Sequence, residues 1–155
     1  MTDALIRLRP ADAVPVPWQN GAGTTRELAV AHADDGGVLW RISLAELTVP
    51  AAFSCLPGLD RVFVALGSLE LAIGGEPVRL EKGEQALFAG EDEVALRSLP
   101  APTGALNVMT RRGRYTAAVT LRPVADSSTP DLYVVDLRDC VAEVRITPTG
   151  SELRP

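Results

Sequence analysis

The sequence predicts an all-β sandwich or barrel. Apolar runs of four to ten residues, rich in Val, Leu and Ile, follow one another along the chain, and 12 Pro and 13 Gly residues punctuate them. Runs of this length bounded by turn residues are typical of strands in all-β domains. No helical pattern of the 10–15 residues that would separate the strands of βαβ units lies between them.

Each expected strand is an apolar or alternating run that ends at turn residues. In chain order they cover 4–9, 38–47, 61–66, 69–73, 78–83, 86–90, 93–99, 104–110, 114–122, 132–138 and 142–146. Gly74 and Gly75 separate two of the runs, which predicts a tight hairpin. Residues 25–33 are ambiguous, because Thr24-Thr25-Arg26-Glu27 fits a helix capping box as well as a strand.

Length and composition bound the class of protein. A chain of 155 residues and 16.4 kDa predicts one compact domain over residues 1–148 and a frayed polar tail over 149–155. With a net charge of -5, we expect no nucleic-acid partner. No run approaches the roughly 18 apolar residues of a membrane span, so we expect no membrane association. The N-terminal residues lack a signal-peptide core, which predicts a cytoplasmic protein. We expect the protein to be a monomer or a homodimer.

Residue counts argue against several kinds of chemistry. His32 is the one histidine, and the two cysteines, Cys55 and Cys140, do not form a C-x-x-C pair. A zinc site built from His and Cys within one chain is therefore not expected, and no cofactor is expected. Lys82 is the one lysine and falls in a turn pattern, which disfavours Schiff-base chemistry. Both cysteines are expected to be free thiols of a reducing compartment.

The run 38–47 carries the most informative charge. In a strand, Arg41 and Ser43 lie on one face and Glu46 lies on the other. Both faces are largely apolar, so the strand is expected to be covered on both sides. A partly buried arginine requires a carboxylate or another anion. That anion is either a ligand carboxylate held by the guanidinium or a structural partner: Glu27, Glu46 or Asp60.

Three further segments carry polar residues beside turns or inside apolar runs. In the segment 18–25, Gly21 allows the chain to turn tightly. Asp60 and Arg61 follow a Pro-Gly turn, and one interpretation makes them a surface ion pair. Asn107 lies in an apolar strand, where its amide requires partners at a cavity or a sheet edge.

Four ordered motifs, PWQNGAGTTREL, WRISLAEL, FSCLPGLDR and NVMTRRGR, resemble those of the HutD/Ves family over roughly residues 6–122. The resemblance implies a cupin-type double-stranded β-helix, described in members as a bicupin, and makes residues 25–31 a strand. It also implies a link to histidine utilisation or to stress response. The usual cupin metal motif, G-x5-H-x-H, is absent from this chain.

The favoured hypothesis is a metal-free cupin that binds a small carboxylate metabolite, with Arg41 and Arg61 as the anion contacts. The expected ligand-binding residues are Trp18, Asn20, Thr25, Arg41, Ser43, Arg61 and Asn107. The alternative is a metal-independent isomerase or epimerase that uses side-chain acids and bases. The groups available for such an enzyme are Glu27, Glu46, Asp60 and Tyr115.

Overall fold

The computed structural model describes residues 5–124 and 132–150, and nearly all of its regular structure is β. A short 3-10 turn, Pro10–Asp12, is the one helical element in those two ranges. The all-β prediction is therefore confirmed. The strands are β1 Leu5–Leu8, β2 Val16–Pro17, β3 Gly23–His32, β4 Val38–Leu47, β5 Ala51–Ala52, β6 Leu59–Ala65, β7 Leu69–Ile73, β8 Glu76–Leu80, β9 Gln85–Ala89, β10 Val94–Ser98, β11 Thr103–Arg111, β12 Tyr115–Arg122, β13 Leu132–Asp136 and β14 Val141–Pro148.

The strands form three sheets. The central sheet has six strands in the order β2-β3-β4-β11-β6-β9, and each of the other two has four. One of these, here called the inner sheet, has the order β5-β10-β7-β8, and the other, the outer sheet, has the order β1-β13-β14-β12. All neighbouring strands are antiparallel except β1 and β13, which are parallel.

The central sheet is covered on both faces, as the apolar character of both faces of β4 predicts. Successive side chains of a strand point to opposite faces. Along β4, Ala45 and Leu47 pack in a core with the inner sheet, whereas Ile42 packs in a second core with the outer sheet. The same alternation continues on β6, where Phe63 belongs to the first core and Val64 to the second.

Local turn chemistry follows the sequence closely. β7 and β8 pair directly, and Gly74 and Gly75 both have positive φ (58° and 85°), as a two-residue hairpin turn requires. Residues 25–32 lie within strand β3, which decides between the helix and the strand. Strand β3 pairs with β4 in the central sheet. This tertiary pairing overrides the local helix preference of the capping-box pattern.

The ends of the domain are described only in part. Thr149 is held by hydrogen bonds from its backbone N–H to the carbonyl of Arg114 and from its hydroxyl to the carbonyl of Gly113. Most of the tail that we expect to fray, 151–155, lies outside the described residues. Within the described ranges, no helix is long and apolar enough to cross a membrane.

Candidate functional site

A cavity of about 700 Å³ lies on the face of the central sheet that is turned toward the inner sheet, and all seven expected site residues line it. Strand alternation explains why β4, β6 and β11 contribute odd-numbered residues. Those three strands are neighbours in the order β4-β11-β6. The residues that the sequence singled out and the cavity brings together are Trp18, Asn20, Thr25, Arg41, Ser43, Arg61 and Asn107.

The strand register places the two arginines in one row. Met109 of β11 pairs with Arg41 of β4 on one side and with Arg61 of β6 on the other. Asn107 pairs with Ser43 on one side and lies in the adjacent row. Neighbouring strands are about 4.8 Å apart, so the two arginines leave the sheet on the order of 10 Å from each other.

Arg61 is the more deeply buried of the two cations. Its side chain lies against the rings of Phe53 and Phe88, with the guanidinium carbon 5.2 Å from each ring centroid. Its Nη2 donates a 2.9 Å hydrogen bond to the side-chain oxygen of Asn107. Burial, and then the charge of Arg41, lower the pKa of Arg61 to about 10. The Nε atom of Arg61 is buried and has no hydrogen-bond partner.

Arg41 has a carboxylate beside it. Its Nε lies 3.0 Å from Oε1 of Glu27, which also lines the cavity. The contact is electrostatic only, because the buried Nε–H makes no hydrogen bond to that oxygen or to any other group. Glu27 is thus the structural partner among the three that the sequence offered, and it leaves the Nε–H of Arg41 without a hydrogen bond.

Ser43 and Asn107 bring neutral polar groups into the same interior. Their residues are 3% and 5% exposed, and Arg61 is 7% exposed. Such burial is uncommon for polar residues, which usually stay in contact with water. Asn107 obtains the partner that its place in an apolar strand requires, since its side-chain oxygen accepts from Arg61.

The loop between β2 and β3 forms one wall of the cavity. Trp18 Nε1 donates a 2.7 Å hydrogen bond to the Thr25 hydroxyl, and the side-chain oxygen of Asn20 accepts from the backbone N–H of Ala22 at 2.9 Å. Gly21 has a φ of 74°, which glycine adopts without strain. The indole N–H of Trp18 and the amide oxygen of Asn20 therefore hold the loop, which leaves the Thr25 hydroxyl hydrogen free to donate.

Aromatic residues complete the wall, and sequence reasoning missed most of them as site residues. The rings of Trp18 and Phe53 meet edge to face at 6.5 Å, and those of Phe53 and Phe63 are 5.7 Å apart. Phe53, Phe63 and Met109 all line the cavity. The odd-number alternation of β6 and β11 is the signal that selects Phe63 and Met109 once the strand order is known.

The structure places two acidic residues, Asp60 and Glu46, away from the cavity. Asp60 does not pair with Arg61, because alternation sends it to the opposite face, where it accepts from Nε of Arg112 at 2.9 Å. Glu46 faces away from the cavity, toward a cleft on the other side of the central sheet. The surface-pair interpretation of Asp60 and Arg61 is therefore wrong.

That second cleft holds none of the seven expected site residues. Its volume is about 770 Å³, and it lies between the ends of β3 and β4 and the turn that joins β13 to β14. Several charges on its walls are already paired: Lys82 with Asp139, and Asp136 with Arg7. Size alone would favour this cleft slightly, but the unused buried donors lie in the cavity.

A metal cation does not fit the cavity, although cupin folds often hold one. The charged residues on its walls are two arginines and one glutamate, Glu27, which already faces Arg41. His32, the one histidine, is exposed at the end of β3. In residues 5–124 and 132–150, no three His, Cys, Asp or Glu side chains come together as a metal site would require.

Comparison with known proteins agrees with the motifs. The sequence model of the HutD family matches residues 10–137. The chain is 28% identical to an uncharacterised 21.2 kDa protein from the hutC 3' region of Pseudomonas putida, over 95% of this chain and 80% of that protein. It is 35% identical to protein Ves of Citrobacter koseri over 106 residues, which are 66% of this chain and only 56% of Ves.

A solved structure shows the same fold. HutD from Pseudomonas fluorescens superposes with a TM-score of 0.75 at 21% identity, over 91% of this chain and 97% of HutD. The expected cupin-type fold is confirmed. Because the family match covers most of the chain and the fold agrees over nearly all of both proteins, this chain belongs to the HutD family.

Proposed function

We propose that this protein binds a small carboxylate metabolite in the cavity, without a metal, and acts as a sensor or regulator linked to histidine utilisation or stress response. The observation that carries the proposal is the pair of buried Nε atoms of Arg41 and Arg61, neither of which has a hydrogen-bond partner. Buried donors are almost always satisfied, so two orphaned donors on residues that line one cavity call for an acceptor.

The charge of the cavity favours an anion of single charge. Arg41 and Arg61 contribute two positive charges and Glu27 one negative charge, which leaves +1 on the cavity walls of a chain whose net charge is -5. A carboxylate is planar and accepts two parallel hydrogen bonds from a guanidinium. One ligand carboxylate would therefore accept from a guanidinium of the walls and neutralise their net charge.

The rest of the cavity suits the carbon body of a metabolite. A volume of about 700 Å³ is within the roughly 300–1,000 Å³ of small-molecule sites. Trp18, Phe53 and Phe63 offer an aromatic wall. Ser43 lies on the same strand face as Arg41 and is a candidate for a second contact to the ligand.

The pathway comes from relatives rather than from the cavity. The P. putida relative is named for its place in the hutC 3' region, and the HutD family is associated with histidine utilisation. The acids of histidine breakdown, such as urocanate, formiminoglutamate and formylglutamate, are accordingly the first ligands to test. Urocanate and formiminoglutamate carry a net charge of about -1 at neutral pH and match the walls, whereas formylglutamate carries two negative charges and is expected to bind less tightly.

The enzymatic alternative finds little support in the geometry. Of the four acid–base candidates, Glu27 lines the cavity. Glu46 faces the second cleft, Asp60 pairs with Arg112, and Tyr115 begins β12 in the outer sheet. General acid–base catalysis needs two such groups within reach of one substrate, and these four do not meet.

Thermal melting with each acid tests the proposal. At one hundred times its dissociation constant a ligand adds about 2.7 kcal/mol to the free energy of unfolding. For a chain of this length each kcal/mol raises Tm by roughly 2–4 °C, so the expected increase is about 5–10 °C. Arg41→Ala should abolish the increase in a variant shown to be folded.

Matched variants separate the roles of the contacts. Ser43→Ala should reduce the increase only partly, because a neutral hydrogen bond contributes about 0.5–1.5 kcal/mol. If no acid at millimolar concentration raises Tm, the pathway assignment is wrong. If the acids raise Tm equally in Arg41→Ala, Arg41 is not the anion contact and Arg61 becomes the next residue to replace.

A further inference from the structure

We propose that Glu27 competes with the ligand carboxylate for Arg41, and that its charge makes the cavity select singly charged anions over doubly charged ones. This inference rests on the proposed function, since it concerns the charge of the ligand in the same cavity. Glu27 lines the cavity and places its Oε1 3.0 Å from the Arg41 Nε. An incoming carboxylate therefore meets a carboxylate already at its binding position.

The strand pairing explains how Glu27 reaches Arg41. Glu27 of β3 is directly opposite Ser43 of β4, so Arg41 is its diagonal neighbour two residues along. Diagonal cross-strand neighbours are about 7–8 Å apart at their backbones, within reach of long side chains. The pairing of β3 with β4 shifts by one residue directly after Glu27, and such bulges re-aim the neighbouring side chains.

The ion pair between Glu27 and Arg41 is weak enough for a ligand to displace Glu27. The side chain of Glu27 is 46% exposed and that of Arg41 34%, so the carboxylate can turn to solvent at little cost. An ion pair that is exposed to this degree contributes about 0–1 kcal/mol. The buried Arg41 Nε–H makes no hydrogen bond to Glu27, which leaves that donor for a ligand with better geometry.

The net charge of the cavity walls determines whether a monoanion or a dianion binds more tightly. With Glu27 ionised, the walls carry two positive charges and one negative charge, so a monoanion brings the sum to zero. Even when turned toward solvent, Glu27 keeps its negative charge on a strand that lines the cavity, so it repels the second negative charge of a dianion. Without the charge of Glu27 the walls carry +2, and a dianion becomes the matched ligand.

The test uses Glu27→Gln, which removes the charge and keeps the size, with acetate and malonate as probes at neutral pH and constant ionic strength. Affinities are measured by thermal-shift titration or calorimetry. We expect malonate to bind Glu27→Gln about tenfold more tightly than wild type, which is about 1.4 kcal/mol, and acetate to improve by less. Glu46→Gln is the matched control, since Glu46 lies on the neighbouring strand and faces the second cleft.

The binding results distinguish a failure of the selectivity inference from a failure of the proposed function. If wild type binds acetate, and Arg41→Ala loses it, but Glu27→Gln leaves the malonate-to-acetate ratio unchanged or lower, Glu27 only orients Arg41 and this inference is overturned alone. If neither wild type nor Glu27→Gln binds either anion, the proposed function fails and the inference with it. If Glu27→Gln fails to fold, Glu27→Ala, which also removes the charge, should raise the malonate-to-acetate ratio in the same direction, and an unchanged ratio in that variant contradicts the inference.

Discussion

Replacing Arg61 and Asn107 together tests whether the buried guanidinium is kept for a ligand rather than for stability. The double variant is Arg61→Met with Asn107→Leu, which exchanges a buried hydrogen-bonded pair for apolar side chains of similar size. Burial and Arg41 lower the pKa of Arg61 to about 10. Keeping the residue charged in the folded protein therefore costs on the order of 3 kcal/mol.

The double replacement also removes favourable contacts. Contacts of the cation with the rings of Phe53 and Phe88 are worth roughly 1–3 kcal/mol together. Met regains part of this, because a thioether packs well against aromatic rings, by about 0.3–1.5 kcal/mol each. Removing both partners of the hydrogen bond leaves no orphaned atom, so that exchange is close to neutral. The free energy of unfolding should stay the same or rise by up to about 2 kcal/mol.

The assay is thermal and urea unfolding without ligand, followed by melting with the carboxylate acids. We expect Tm of the double variant to be unchanged or higher by up to roughly 8 °C, and the carboxylate-induced increase to disappear. Arg61→Met alone is the control. It leaves the Asn107 oxygen buried and unpaired, and should be less stable than the double variant by about 1–3 kcal/mol. A double variant destabilised by more than about 2 kcal/mol would show that Arg61 is kept for stability, and one that still responds to the acids would show that Arg61 is not a ligand contact.

Three other predictions follow from the structure. Tag-free protein should hold no stoichiometric zinc, iron or manganese by elemental analysis, and one metal per chain surviving dialysis against chelator would contradict this. Under native conditions a thiol reagent should modify Cys55, which is exposed, faster than Cys140, because burial raises the pKa of the Cys140 thiol; equal rates would contradict the order. Hydrogen bonding from Arg112 lowers the pKa of Glu91 to about 2, below its unfolded value of about 4.3. Its stabilisation is therefore present above that value and lost as pH falls toward 2, so Glu91→Gln should flatten acid unfolding in that range, less so in high salt.

The strands could be predicted from the sequence because a strand pattern depends only on residues that are close together in the chain. Alternation along β4 was enough to place Arg41 and Ser43 on one face and Glu46 on the other. Gly74 and Gly75 marked the hairpin because a tight turn needs positive φ at both positions. The choice between helix and strand at residues 25–33 required knowledge of the sheet pairing, since the capping-box pattern and the strand pattern share the same residues.

The assembly of the cavity could not be read from local patterns. Arg41 and Arg61 face each other across Met109 because β11, which comes much later in the chain, inserts between β4 and β6. Strand order of this kind depends on long-range packing. For the same reason, the sequence offered three carboxylates for Arg41 and gave no ground for choosing Glu27.

A crystal structure of the protein with urocanate is the decisive experiment on whether the cavity binds a carboxylate through its two arginines. We expect the carboxylate of the ligand in the cavity, within hydrogen-bond distance of the guanidinium groups of Arg41 and Arg61, with Glu27 turned toward solvent. A ligand bound elsewhere, or a cavity without ligand in which Glu27 still faces Arg41 at saturating urocanate, would contradict it.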